Sequence, residues 1–179
     1  VNNMATDQLN QILSFHCPRY EELPDLDIYM DQVLQLINRY LAIIQDYTNE
    51  PIMTKTMINN YVKHGIVHAP RKRKYTKEHL AYLIVIGFMK QVYSMNEINN
   101  LIQFQIKAYP IERAYNYFCD ELEECLKATF THRPVNHVKA NNQDEFEVYM
   151  LQNTILSIVQ KIYVQLSMDK VQERLATKR

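Results

Sequence analysis

Residues 54–102 read "TKTMINNYVKHGIVHAPRKRKYTKEHLAYLIVIGFMKQVYSMNEINNLI". Three kinds of patterning follow one another in this stretch. Thr54 is suited to cap a helix over residues 55–64, and Gly65 stands where a left-handed C-terminal cap is wanted. At about 100° per residue, Met57, Ile58, Tyr61 and Val62 fall on one face of that helix. Thr56, Asn59, Asn60 and Lys63 fall on the other. Side-chain amides and lysine are groups that hydrogen-bond base edges and phosphates.

A basic run comes next, Arg71, Lys72, Arg73 and Lys74, with Tyr75 placed to anchor the chain's return to the core. The spacing predicts a small cationic loop or wing beside the preceding helix. Thr76 caps a further helix that is apolar nearly all round (Leu80, Leu83, Ile84, Ile86, Phe88, Met89), so this helix is expected at the centre of the fold, with Gly87 allowing close packing. "SMNE" at residues 94–97 is a capping box in which Ser94 and Glu97 satisfy two helix-end amides reciprocally. Ile98, Leu101 and Ile102 supply the buried stripe behind it.

Outward from there, residues 1–14 read as a weak helix or loose arm, and "CPRYEELPDLD" as an extended lead-in, because proline keeps its predecessor out of helical geometry. Asp27 is placed to cap a first helix over residues 27–46, carried by Ile28, Val33, Leu34, Ile37, Tyr40, Leu41 and Ile44. On the C-terminal side, Pro110 starts a helix running to about Phe130. "THRPVNHVKANNQ" is a polar connection. A long helix follows from Asp144 to about Leu175 with two apolar stripes. One is Val148, Leu151, Ile155, Ile158 and Ile162; the other is Tyr149, Leu156, Val159, Tyr163 and Leu166. One stripe is expected to pack within the chain, and the other against a second subunit, around a ligand cavity or, in an all-intrachain core, under the first helix. The expected architecture is all-α, with at most one tiny hairpin. It comprises an arm (residues 1–26), a helical region around the opening stretch (27–107) and a C-terminal helical region (108–179).

The chain has 179 residues and zero formal net charge, yet residues 51–77 hold seven cations and no acidic side chain. Lys55, Lys63 and Lys77 complete the set begun by the four residues at 71–74. With only two glycines, neither a Walker loop nor a dinucleotide fingerprint can be built. Three cysteines, Cys17, Cys119 and Cys125, at scattered spacings fit neither a disulfide framework nor a paired-cysteine zinc site, and read as small core fillers. That usage, with no leader pattern and no apolar run near the roughly 18 residues of a membrane span, points to a cytoplasmic protein. His132 and His137, five apart, would need further ligands, so no metal or cofactor is expected. His64, His68 and His79 read as surface or interface histidines.

Taken in order, residues 54–102 resemble the winged helix-turn-helix of MerR-type transcriptional regulators. "MINNYVKHGIV" (57–67) falls where that family has its recognition helix, "RKY" (73–75) resembles the exit of its wing, and "VYSMNEINNLI" (92–102) its capped fourth helix. With "PRYEELPDLDIYMDQVLQLINRYL" (18–41) upstream, the chain also resembles a bacterial family catalogued as a domain of unknown function and labelled as transcriptional regulators. It departs from the MerR pattern in several ways. Asn59 and Asn60 stand where that family carries arginine and a second tyrosine, the wing is shorter and lacks glycine, the upstream helix is longer, and the C-terminal half does not resemble a metal-sensing tail.

The resemblance implies that residues 27–107 form a winged helix-turn-helix and that the chain is a homodimeric, sequence-specific DNA-binding regulator rather than an enzyme. Helix 55–64 would enter the major groove. Asn59 and Asn60 would offer amides to adenine, Thr56 a further base or phosphate contact, and Lys55, Lys63, Arg71, Lys72, Arg73 and Lys74 would neutralise phosphates. The alternative on the same fold is an adaptor whose basic face meets an acidic protein. Aromatic residues of the C-terminal half (Tyr109, Tyr115, Tyr117, Phe118, Tyr149, Tyr163) provide enough surface for a pocket holding a small-molecule effector.

Overall fold

The computed structural model describes residues 6–45, 51–140 and 144–177. In chain order these hold α1 (Thr6–Leu13), a 3-10 turn (Tyr20–Glu22), β1 (Ile28–Tyr29), α2 (Met30–Tyr40), α3 (Ala42–Gln45), α4 (Lys55–Lys63), β2 (Lys74–Tyr75), α5 (Lys77–Met89), α6 (Met95–Ala108), α7 (Ile111–Phe130), α8 (Glu145–Leu166) and α9 (Met168–Ala176). The protein is mostly helical, as its periodicities require, with one two-stranded antiparallel sheet pairing Ile28 with Tyr75 and Tyr29 with Lys74. Among the described residues no helix is long and apolar enough to cross a membrane.

α5 is the central element. Ten of its residues, from His79 to Met89, are buried, and it packs against α2, α7 and α8. Its apolar residues point in every direction because neighbours surround it. Gly87 makes one of those contacts possible. A Cβ built there would lie 2.3 Å from Cδ1 of the fully buried Leu41, so the α2–α5 crossing depends on the missing methyl. α7 and α8 form the largest helix pair, and one connected core runs from Ile12 to Leu166. It crosses the boundary between residues 107 and 108.

The starts of α6 and α7 fall where their caps indicate. The Ser94 amide donates to Glu97 Oε2 at 2.7 Å, and Pro110 precedes the first turn of α7. Two other expectations require correction. The helix expected from residue 27 begins at Met30, because Ile28 and Tyr29 are drawn into the sheet; Tyr29 is its N-cap, its amide donating to Gln32 Oε1 at 3.0 Å. It is also interrupted at Leu41 before α3, and its expected end at Asp46 lies outside the described residues. The long C-terminal helix is broken at Ser167, whose hydroxyl donates to the Tyr163 carbonyl at 2.8 Å, a side-chain bond that competes with the helical ladder.

The two stripes of α8 do not separate as expected either. Its buried face is Thr154, Ile155, Ile158, Val159, Ile162 and Leu166, drawn from both, while Tyr149 is 66% exposed. The three cysteines are buried free thiols, as core fillers should be. Cys17 Sγ lies 3.0 Å from Cys119 Sγ, which brings the lead-in segment onto α7.

Candidate nucleic-acid interface

α4 carries the two-faced pattern intact. Thr54 Oγ1 accepts the Met57 amide at 3.3 Å at its start. At its end Gly65 has φ +71°, its amide donates to the Val62 carbonyl at 3.0 Å, and the Ile66 amide reaches the Tyr61 carbonyl at 2.9 Å. These two bonds form a Schellman cap, which needs a residue free to adopt left-handed geometry at Gly65. Ile58 and Tyr61 are buried and Met57 and Val62 partly so.

Two polar groups fix the approach to α4. Asn38 on α2 clamps Met53 on both sides: its Nδ2 donates to the Met53 carbonyl at 3.0 Å, and its Oδ1 accepts the Met53 amide at 3.0 Å. Lys90, at the end of α5, donates to the Ile52 carbonyl at 2.6 Å and contacts Met57 Sδ at 3.4 Å. Its burial lowers the ammonium pKa. Between α2 and α4 the chain covers residues 41–54, a much longer connection than the three or four residues of a compact helix-turn-helix.

The opposite face of α4 is free. Lys55, Thr56, Asn59, Asn60 and Lys63 are all exposed, and none makes a side-chain hydrogen bond or ion pair among the described residues. The basic run forms a tight hairpin in which the Lys74 amide donates to the Arg71 carbonyl at 2.9 Å and Arg71 bridges Lys74. Its central residues, Lys72 and Arg73, have φ +50° and +63°. A two-residue turn of this hand normally takes Asn-Gly, because L side chains are strained at positive φ.

Arg71, Lys72 and Arg73 project into solvent without an acidic partner among the described residues. Lys74 is half buried, its ammonium 5.3 Å from the centre of the Tyr29 ring, so it braces the sheet. Lys77 is likewise committed, paired with Asp25 and lying 5.5 Å from the Tyr20 ring centre.

Helix face and hairpin are joined through backbone. The Tyr61 carbonyl accepts both Ile66 and Val67 amides, and the His68 carbonyl is held by His79 Nε2 at 3.1 Å. Tyr75, 3% exposed, packs edge-on against the His79 ring behind the hairpin. His79 is therefore an interior residue and not the surface or interface histidine its sequence context suggests. No side-chain contact between the exposed face of α4 and the basic hairpin is present among the described residues.

Elsewhere, an apolar cleft opens between α5, α6, α7 and α8, lined by Tyr82, Met89, Phe104, Phe118 and Leu151, with Tyr115 at its wall. Of the six aromatic residues expected around a pocket, Tyr115 and Phe118 line it. Tyr109, Tyr117, Tyr149 and Tyr163 do not. A polar cluster that spacing did not reveal joins Glu121 and Cys125 of α7 to His137 of the following connection. The i, i+4 relation of Glu121 and Cys125 was readable on the helix, but the return of His137 across it was not.

The elements thus define a helical protein with a cationic hairpin set against a two-stranded sheet. Residues 18–118 match the family described as "Domain of unknown function (DUF1836)", and the chain belongs to that family. No curated protein and no solved structure matches it.

Proposed function

We propose that this protein is a sequence-specific DNA-binding regulator with a winged helix-turn-helix of MerR-like organisation, acting as a homodimer and not as an enzyme. The observation that carries this reading is the 71–74 hairpin. Two of its cations occupy left-handed positions that glycine would fill at lower cost, and no acidic group neutralises them among the described residues. Strained residues that keep a particular chemistry point to a role for that chemistry.

The nine residues of α4 give a rod about 14 Å long, a fair match to a major groove about 12 Å wide. In this reading Asn59 and Asn60 read base edges, Thr56 reads a base or phosphate, and Lys55, Lys63, Arg71, Lys72 and Arg73 bind phosphates. Lys74 supports the hairpin through Tyr29 and adds its charge. The cleft between α5 and α8 adjoins the central helix and suits a small apolar effector.

Dimerisation is supported by the C-terminal helices. On α9, Met168, Val171 and Leu175 are exposed and follow one another at intervals of three and four residues, the spacing of a coiled-coil seam.

Selection of bound duplexes from a random DNA pool tests the whole reading. An inverted-repeat motif is the expected result. Failure to enrich any sequence, together with no binding of mixed duplexes at low salt, would overturn it and leave an acidic protein as the partner of the basic face.

A further inference from the structure

The geometry points to a binding site for a zinc-class divalent transition-metal ion at Glu121, Cys125 and His137, outside the proposed DNA interface and beyond the residues that match the family. One ligand atom from each of the three side chains lies within 4.8 Å of the other two, and Glu121 Oε1 is in contact with both Cys125 Sγ and His137 Nδ1. They supply one oxygen, one sulfur and one nitrogen donor, a set that suits zinc and its neighbours and not calcium or magnesium.

The distances fit one small ion. With zinc–sulfur and zinc–oxygen bonds of about 2.3 and 2.1 Å, two such donors in a tetrahedron lie about 3.6 Å apart. Glu121 Oε1 and Cys125 Sγ are 3.5 Å apart. His137 Nδ1 is in direct contact with Glu121 Oε1 and must withdraw slightly, which its side chain, 38% exposed, has room to do. Solvent on that side would supply the fourth ligand.

The surroundings hold the donors in place. Glu121 is fully buried, and its second oxygen accepts the Val138 amide at 2.9 Å, leaving Oε1 to face the cluster. Tyr117 donates to the Val138 carbonyl at 3.0 Å and itself accepts from Gln152 at 3.1 Å, tying the connection to both α7 and α8. Arg133 grips Glu124 with two bonds, of 2.7 and 2.9 Å, and the Asn136 amide donates to the same carboxylate at 2.7 Å. Fixed partners of this kind orient metal ligands.

Charge also balances. On binding, Cys125 releases its thiol proton to solvent; the dication then faces one thiolate and one carboxylate, and the buried cluster is neutral. The ion would brace the connection after α7, a segment without regular structure from Arg133 to Ala140.

The test titrates cobalt(II) into the full chain after treatment with a chelator. A single ion per chain giving tetrahedral visible bands and a thiolate charge-transfer band, displaced by zinc, is expected. Cys125→Ser should lose the charge-transfer band, and His137→Gln, a change at an exposed side chain that spares the core, should lose the tetrahedral spectrum. Cys119→Ser should change neither. Absence of any cobalt spectrum in the unaltered protein, or an unchanged spectrum in His137→Gln, overturns the site.

Discussion

His79 Nδ1 accepts the backbone amide of Thr76 at 3.0 Å and lies 2.8 Å from the Thr76 hydroxyl, while its Nε2 donates to the His68 carbonyl. The ring is therefore neutral, with its proton on Nε2. Burial lowers its pKa from the ordinary 6.5, against smaller opposing effects of the His68 carbonyl and Glu78. Protonation at Nδ1 would point a hydrogen at an amide that can only donate. Well above pH 6.5 the imidazole is neutral in both folded and unfolded chains. As pH falls below that value the unfolded chain takes up a proton first, so stability declines with pH until the folded-state pKa is passed. Thermal melts from pH 7.5 to 5 should show this loss. His79→Gln keeps an acceptor for the Thr76 amide and should flatten the His79 contribution; an identical slope in the variant would remove His79 as its source.

The 71–74 hairpin separates stability from charge. A non-glycine residue in left-handed geometry costs roughly 1–2 kcal/mol. Replacing Lys72 and Arg73 together by Asn and Gly, the favoured pair for this turn, should stabilise the protein by about 1 kcal/mol, a rise in Tm of roughly 2–4 °C. If those cations meet phosphates, the slope of log affinity against log salt should become shallower by about 1.8. A more stable protein with an unchanged slope would confine the two cations to solvent.

Packing at the α2–α5 crossing gives a coupled pair. Gly87→Ala pushes a methyl into Leu41, an overpacking cost of about 1–3 kcal/mol, partly offset by about 1 kcal/mol of helix propensity. Leu41→Ala alone should cost about 2–5 kcal/mol. Together they should cost less than the sum, since each makes room for the other. Denaturant titration of the four proteins checks this, and strict additivity would contradict the close approach.

How far these features could be read beforehand depended on how local their causes are. The limits of α4 and the capping box at Ser94 are set by neighbours within a few residues, and the all-round apolar pattern of α5 is satisfied only by burial, so spacing revealed all three. Ile28 looked helical because its apolar partners recur every three or four residues, yet Tyr75, 47 positions later, draws it into a strand. His79 reads as a surface residue from its sequence neighbours, whereas Thr76 and the His68 carbonyl enclose it in the fold. The left-handed turn at Lys72 and Arg73 had no glycine to announce it. The exposed amide face of α4 was legible from 100° spacing; the cluster at Glu121 needed a chain reversal that no periodicity encodes.

The exposed stripe of Met168, Val171 and Leu175 on α9 bears on oligomeric state. Val171→Glu with Leu175→Glu places like charges on neighbouring turns of an exposed face, so the monomer's own fold should tolerate them. If this stripe joins the proposed dimer, sedimentation should then show a shift from dimer to monomer, with far-ultraviolet circular dichroism nearly unchanged. If the proposed regulator grips two half-sites as a dimer, DNA affinity should fall with the loss of that linkage. A variant that sediments as the unaltered protein does would place the subunit contact elsewhere.

Base reading and phosphate binding should part company between the helix face and the hairpin. Asn59→Ala removes an exposed amide that makes no side-chain hydrogen bond among the described residues, so it should leave stability within about 0.5 kcal/mol of the parent. Loss of a bidentate amide–adenine pair should cost about 1–3 kcal/mol at one base position and leave other sequences bound as before. Arg71→Ala should instead weaken all duplexes alike and make the salt slope shallower by about 0.9. Selection experiments with both variants, run beside salt titrations, distinguish the two effects. If Asn59→Ala recovers the same motif with undiminished preference, α4 is not the reading helix. A slope unaltered in Arg71→Ala would take that arginine out of the phosphate contacts.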